Sequence, residues 1–164
     1  MSEQEFLEQI RENQGIIFKV VSLYAADPEE KKDLYQEVLL QCWKGWPAFR
    51  NESKFSTWLY RICLNTVFTS LRKKTKLQYT EDVPDSRSVM AAPLEMEDSL
   101  ALHQAIRQLT DADRAIILLH LEGYNNGEIA EMIGIPVNNL GVKLYRIRQR
   151  LANLLNKNGH GNTE

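Results

Sequence analysis

Residues 124–151, YNNGEIAEMIGIPVNNLGVKLYRIRQRL, decide the fold. Asn126 reads as the cap of a short helix that carries Ile129, Ala130 and Ile133 on one apolar side. Gly134 ends that helix, because glycine accepts the left-handed backbone of a helix C-terminus. Pro136 suits the start of the next helix, where its missing N–H costs nothing. Leu140, Leu144, Ile147, Leu151 and Leu154 then recur at helical spacing and predict a core-facing stripe. Lys143, Arg146, Arg148 and Arg150 fall on other faces. A short helix, a glycine turn and a basic second helix make a helix-turn-helix, which sets side chains in the DNA major groove. Taken alone, the pattern also describes a helical hairpin with a solvated basic face.

The rest of the chain narrows that choice. Its 164 residues suit one medium domain or two small ones, with an apolar content of 43% that supports a folded core. No apolar run approaches the roughly 20 residues that cross a bilayer. The polar, acidic start is unlike a signal peptide. The expectation is a cytoplasmic protein with no membrane insertion. Cys42 and Cys63 lie far apart in helical patterns and share no metal-type spacing with His103, His120 or His160, so they read as reduced, buried thiols. Neither a metal site nor a cofactor is expected.

Net charge is −2, whereas a helix-turn-helix protein that works alone on DNA often carries a basic excess. The charge is segregated. Residues 46–76 hold 7 basic and 1 acidic side chains, and residues 136–164 hold 5 and 1; the stretches between and before them are acidic. Two basic blocks imply two separate nucleic-acid contacts.

Every periodic segment reads as helix. Ser2 and Glu5 form a capping box, Phe6, Leu7 and Ile10 follow as an apolar side, and Gly15 breaks the pattern. A second helix is expected over 16–25. Asp27, Pro28 and Glu30 start a third that runs to about Trp43, with Leu34, Val38 and Cys42 stacked, until Gly45 and Pro47 stop it. Residues 47–56 form a polar, basic loop. Ser56 caps a fourth helix over 57–72. Residues 76–93 lose periodicity, carry Pro84 and Pro93 and turn acidic, as a flexible linker does. Helical patterning resumes near Leu94, and Thr110 caps the helix before the helix-turn-helix. The fold class is all-α: two small helical domains, 1–75 and 94–157, a flexible acidic linker at 76–93, and a polar tail at 158–164.

The segment from Asp33 to Lys74 has chemistry of its own. Trp43, Trp46, Phe49, Phe55, Trp58 and Tyr60 crowd around a basic loop and helix. Aromatic rings stack on unpaired bases while Lys and Arg track phosphate. Asn65, Thr66 and Thr69 are placed to bond base edges. Trp43 and Trp58 read equally well as core; Phe49 and Phe55, on a polar loop, read as binding residues.

With those residues in view, DLYQEVLLQCW (33–43), FSTWLYRICLN (55–65) and the stretch 124–151 resemble bacterial RNA polymerase sigma factors of the extracytoplasmic-function (ECF) group. The resemblance covers nearly the whole chain, with three motifs in order. It implies a dissociable initiation subunit whose first domain binds core RNA polymerase and melts and reads the −10 promoter element, while the second reads the −35 element as duplex. Positions matching the polymerase-binding helix are Asp33, Gln36, Glu37, Gln41 and Trp43. Those matching the −10 reader are the loop with Phe49, Lys54 and Phe55 and the helix with Arg61, Asn65 and Thr69. Those matching the −35 reader are Asn138, Asn139, Gly141, Val142, Lys143, Tyr145 and Arg146.

At this last site the chain departs from the commonest pattern. Many members have Gly-Thr-Val-Lys-Ser-Arg where this chain has Asn138-Asn139-Leu140-Gly141-Val142-Lys143, so Gly141 stands where a lysine is usual. The resemblance also implies an anti-sigma factor as a partner, beside core polymerase and promoter DNA. The acidic linker, with Glu81, Asp82, Asp85, Glu95, Glu97 and Asp98, is similar to a segment that threads polymerase near the RNA path.

Two other readings are weaker. An autonomous helix-turn-helix regulator needs a dimer seam or a sensor pocket, and neither is written in the first half. An enzyme would need more than Asp33 near Glu37 or His103 near carboxylates; no phosphate loop or nucleophile motif accompanies them, and no catalytic residue or small-molecule substrate is expected.

Overall fold

The computed structural model describes residues 2–78 and 97–160. Among them are eight α-helices, two single-turn 3-10 segments and no strand. They fall into two compact units, the first built from α1 (Glu3–Glu12), α2 (Gln14–Tyr24), α3 (Pro28–Gly45) and α4 (Phe55–Gln78). The second is built from α5 (Glu97–Arg107), α6 (Asp111–Leu121), α7 (Asn126–Ile133) and α8 (Leu140–His160). The expected linker lies for the most part outside the described residues, as do residues 161–164 of the expected tail. The backbone of residues 158–160 continues α8.

Capping chemistry sets the starts of the first unit. Ser2 accepts from the Glu5 N–H and Glu5 answers to the Ser2 N–H, completing the expected box. Asp27 caps α3 through the Glu30 N–H at 2.8 Å, with Pro28 in the first turn. The α1–α2 break is at Asn13, whose side chain donates to the Gln9 carbonyl; Gly15 lies inside the first turn of α2. Nor does the third helix stop at Trp43. It runs through Gly45 into a 3-10 turn over Trp46–Ala48, so Pro47 sits in a turn that needs no N–H from it.

The fourth helix begins at Phe55 and ends at Gln78, longer at both ends than expected. Ser56 is therefore a first-turn residue and not the cap. Asn51 makes the loop before it possible by taking a positive φ of 58°, which Asn tolerates better than most side chains. Ile17, Val20 and Val21 of α2, Val38 and Cys42 of α3, and Leu59, Cys63 and Val67 of α4 form the core. At Gly45 the helices approach closely: a methyl group there would lie 3.3 Å from the Trp58 ring and 3.6 Å from the Ile62 side chain.

In the second unit Thr110 caps α6 through the Asp113 N–H, as expected. Gly123 follows at φ 99°, and the Tyr124 N–H reaches back to the Leu119 carbonyl, the closing bond of a Schellman turn. The buried stripes Ala115–Leu119, Ile129 with Ala130 and Met132, and Leu140 with Leu144, Ile147 and Leu151 make one core.

Candidate nucleic-acid and polymerase interfaces

The helix-turn-helix is assembled by three local decisions. Asn125, not Asn126, caps α7: its Oδ1 accepts from the Glu128 N–H at 2.9 Å, while the Glu128 carboxylate accepts from the Asn125 N–H at 3.1 Å. The glutamate three residues on decides between the two asparagines, since only Asn125 has one at that spacing. Gly134 adopts the left-handed conformation at φ 82°, as expected, and ends α7. Pro136 does not open α8. It precedes a 3-10 turn over Val137–Asn139, and α8 starts at Leu140.

This geometry puts the expected −35 residues in two local settings. Asn138 and Asn139 sit in the exposed 3-10 turn that leads into the helix, and Gly141 follows in its first turn. Val142 is 56% exposed and Tyr145 63%, unusually open for apolar side chains. Arg146 is exposed and Lys143 half-buried at the edge. The Tyr145 hydroxyl accepts a hydrogen bond from Gln149 at 2.9 Å, one turn on, which fixes the ring's direction. Gln149 was not anticipated, although the i, i+4 spacing is its signal. Val137, half-exposed in the same turn, was likewise missed. Nothing lies within 4 Å of where a Gly141 side chain would be. Arg148 hydrogen-bonds His120 of α6, so this cation braces the unit.

In the first unit, α3 and α4 form the walls of a groove of about 770 Å³. Asp33, Glu37 and Gln41 line it from α3; Asn65, Thr66 and Thr69 line it from α4. Gln41 donates to the Glu37 carboxylate at 2.9 Å. The expected polymerase-binding set is thus divided. Gln36 and Trp43 do not line this groove; Trp43, 47% exposed, stands edge-on to Phe6 of α1 with centroids 5.2 Å apart. Leu7, expected on the apolar side of α1 with Phe6 and Ile10, is instead exposed, and only the other two are buried. Leu40 is also exposed and joins no earlier expectation; it lies one turn from Trp43 on α3. Lys74 pairs with Glu30 at one end of the groove.

The loop aromatics lie differently from expectation. Phe49 and Phe55 are only 6% and 9% exposed. Both pack into a cluster with Trp46 and Trp58: Phe49 is 5.0 Å from Trp58 and Phe55 is 5.3 Å from it, centroid to centroid. The ring faces expected to stand open on a polar loop are taken by other rings. The 3-10 turn over Trp46–Ala48 joins Phe49 to Trp46, since the Phe49 N–H closes it by donating to the Trp46 carbonyl. Trp46, the hub of the cluster, also donates from Nε1 to the Ser2 carbonyl at 3.3 Å. Lys54 is exposed in the loop and Arg61 half-buried on α4; Asn65 and Thr69 are exposed. Thr66 is not available for base edges, being buried with its hydroxyl donating to the Ile62 carbonyl at 2.7 Å.

Cys42 and Cys63 are buried free thiols, as the sequence suggested. Burial pushes the Cys42 pKa up to about 12; burial first, and Cys42 second, raise that of Cys63.

Residues 9–77 match the family description "Sigma-70 region 2", and residues 99–151 match "Sigma-70, region 4". The chain is 30% identical over 136 residues to the ECF RNA polymerase sigma-E factor of Haemophilus influenzae, covering 74% of this chain and 72% of that one. To the ECF RNA polymerase sigma factor SigM of Mycobacterium tuberculosis it is 27% identical over 151 residues, covering 92% and 76%. The fold is similar to that of the sigma factor RpoE in its complex with the anti-sigma factor NepR from Bartonella quintana. The TM-score there is 0.73, at 24% identity over 94% of this chain and 96% of that one. It is also similar to CnrH in complex with the cytosolic domain of CnrY, with a TM-score of 0.66, at 19% identity over 95% and 90%. With both regions matched in order on the two helical units, the chain belongs to the ECF group of sigma-70-type RNA polymerase sigma factors.

Proposed function

We propose that this chain is a dissociable initiation factor that brings core RNA polymerase to promoters bearing paired −35 and −10 elements and promotes strand opening there. It catalyses no reaction itself. The observation that carries the reading is the order of the two sigma regions along the chain, each on its own helical unit, with the second ending in an open-faced helix-turn-helix.

The residues divide the work by chemistry. Asp33, Glu37 and Gln41 offer acid and amide groups, and Trp43 and Leu40 an exposed apolar step, to a polymerase surface rich in arginine. Asn65, Thr69 and Arg61, with Lys54 on the loop, meet the opened −10 strand; the packed Phe49 and Phe55 hold that loop in shape. Unstacking costs a few kcal/mol per base step, so easily melted steps suit this site. On α8, Val142 suits a thymine methyl, Asn138 or Asn139 an adenine edge, and Arg146 or Lys143 a guanine. Gly141 leaves the groove floor open where many relatives put a lysine.

A protein that clamps the factor when it is not needed fits the same reading, since the similar structures of RpoE and CnrH are complexes with NepR and CnrY. Among the described residues no helix is long and apolar enough to cross a membrane, which is compatible with work in the cytoplasm. Run-off transcription tests the whole reading. Core polymerase plus the purified chain initiates at a defined start downstream of matched elements, and core alone does not. Tight, sequence-specific binding by the isolated chain as a dimer would instead mark an autonomous regulator.

A further inference from the structure

Tyr145 is 63% exposed, yet its hydroxyl already has a partner: Gln149 donates to it from Nε2 at 2.9 Å. The direction of that bond matters. A phenol can donate its one O–H proton or accept through its oxygen, whereas an amide nitrogen only donates. With Nε2 as its near atom, Gln149 gives a proton and takes none. The Tyr145 hydroxyl therefore keeps its own proton for something else, and a two-way group becomes a donor. Helical side chains lean toward the N-terminus of their helix, which carries the ring toward the turn of Gly141 and Val142. Gly141 presents no side chain, and nothing lies within 4 Å of where its Cβ would be. It puts no obstruction before the hydroxyl.

We infer that Gln149 is a positioning residue that makes Tyr145 a specificity determinant: the hydroxyl donates to the keto oxygen of a guanine or thymine at one position of the −35 element. The inference rests on the proposed −35 reading and deepens it. In the major groove guanine O6 and thymine O4 accept, whereas adenine N6 and cytosine N4 donate. A hydroxyl with no partner serves either class. One that already holds a donor favours a keto base and meets an amino base donor to donor. A base is favoured over a phosphate oxygen by the setting of the ring. Tyr145 carries no charge, and its neighbour three residues back is Val142, 56% exposed and apolar, which fits a thymine methyl on the groove floor. Gln149 acts through the ring, by fixing which way its proton points.

The test is selection by holoenzyme from a promoter pool randomised across the −35 element, with Tyr145→Phe, Gln149→Glu and the double variant. Both side chains are exposed and both changes keep their shape, so the fold persists. The unsubstituted holoenzyme favours keto over amino bases at one position by about threefold to tenfold, the worth of one hydrogen bond. Tyr145→Phe abolishes that preference. Gln149→Glu abolishes it as well, because a carboxylate only accepts and draws the hydroxyl proton to itself. The added negative charge weakens binding to all sequences alike and leaves the ratio between bases untouched. In the Tyr145→Phe background Gln149→Glu changes no base preference, an outcome that a loosened helix would not give. A keto preference that survives Gln149→Glu overturns the positioning role. A loss in Tyr145→Phe that is equal for every sequence marks a phosphate contact and overturns the base reading. An unsubstituted holoenzyme that selects no −35 sequence strikes the −35 reading itself, whereas selection that Tyr145→Phe leaves unchanged strikes this inference alone.

Discussion

Phe49 lies almost parallel to Trp46, ring centroids 5.7 Å apart and planes 20° apart, with Phe55 edge-on to both. A loop residue therefore does core work. Phe49→Ala is expected to destabilise the first unit by about 3–5 kcal/mol, as buried Phe truncations do. A urea titration of the full chain followed by tryptophan fluorescence measures it.

The same packing separates shape from stacking at Phe55. Phe55→Leu keeps an apolar side chain and is expected to cost less than the about 3–5 kcal/mol of a Phe-to-Ala truncation. If the ring only shapes the loop, permanganate reactivity of the melted promoter stays near that of the unsubstituted holoenzyme. Abolished reactivity in a stably folded Leu variant would mean that the ring leaves its cluster to meet a base.

Asn125→Ala removes the capping box of α7 and is expected to lower stability by about 1 kcal/mol; Asn126→Ala, lacking that role, changes it by a few tenths. Comparing the melting curves of the two variants decides the assignment.

Gly141→Ala meets open space and places a better helix former in α8, so stability is expected to rise by up to about 1 kcal/mol. Gly141→Lys leaves the fold intact and shifts which −35 sequences a holoenzyme selects from a randomised promoter pool.

The thiols predict an alkaline limit. An unfolded thiol ionises near 9.0, while in the folded protein Cys42 is pushed up to about 12. Folded Cys42 thus keeps its proton where the unfolded chain has lost it. Stability is full below about pH 9 and falls as pH rises toward 12, by up to about 1.4 kcal/mol per pH unit for this thiol. Cys63 adds a decline in the same direction. Cys42→Ala lowers stability at pH 7 but flattens the alkaline decline, which urea midpoints measured from pH 7 to 10 resolve.

Much of the helical architecture was written in periodicity and caps. Ser2 with Glu5, Asp27 with Pro28, Thr110 with Asp113, and the glycine at 134 each carried a local signal that tertiary context left in place. Boundaries failed where two signals competed. Asn125 and Asn126 are adjacent equivalents until Glu128 is counted, and Ser56 resembles a cap although the helix starts at Phe55. Exposure at the candidate site was legible on α8, where an exposed position is one the leucine stripe leaves over. It was not legible around Phe49 and Phe55, because a polar stretch of sequence says nothing of how its turn folds back. Thr66 misled for a related reason: a hydroxyl inside a helix bonds its own backbone when no other partner is offered.

The groove between α3 and α4 also bears on how genetics on this protein is to be read. Asp33, Glu37 and Gln41 on one wall face Asn65 and Thr69 on the other, Gly45 seats Trp58 between the helices, and Glu30 grips Lys74 across the end. A substitution that shifts either helix changes what the opposite wall presents. A promoter defect from an α3 variant is therefore not proof of a lost DNA contact, nor is a polymerase defect from an α4 variant proof of a lost protein contact. Double-mutant cycles across the groove, with core affinity and strand opening scored separately, are the unit in which roles can be assigned.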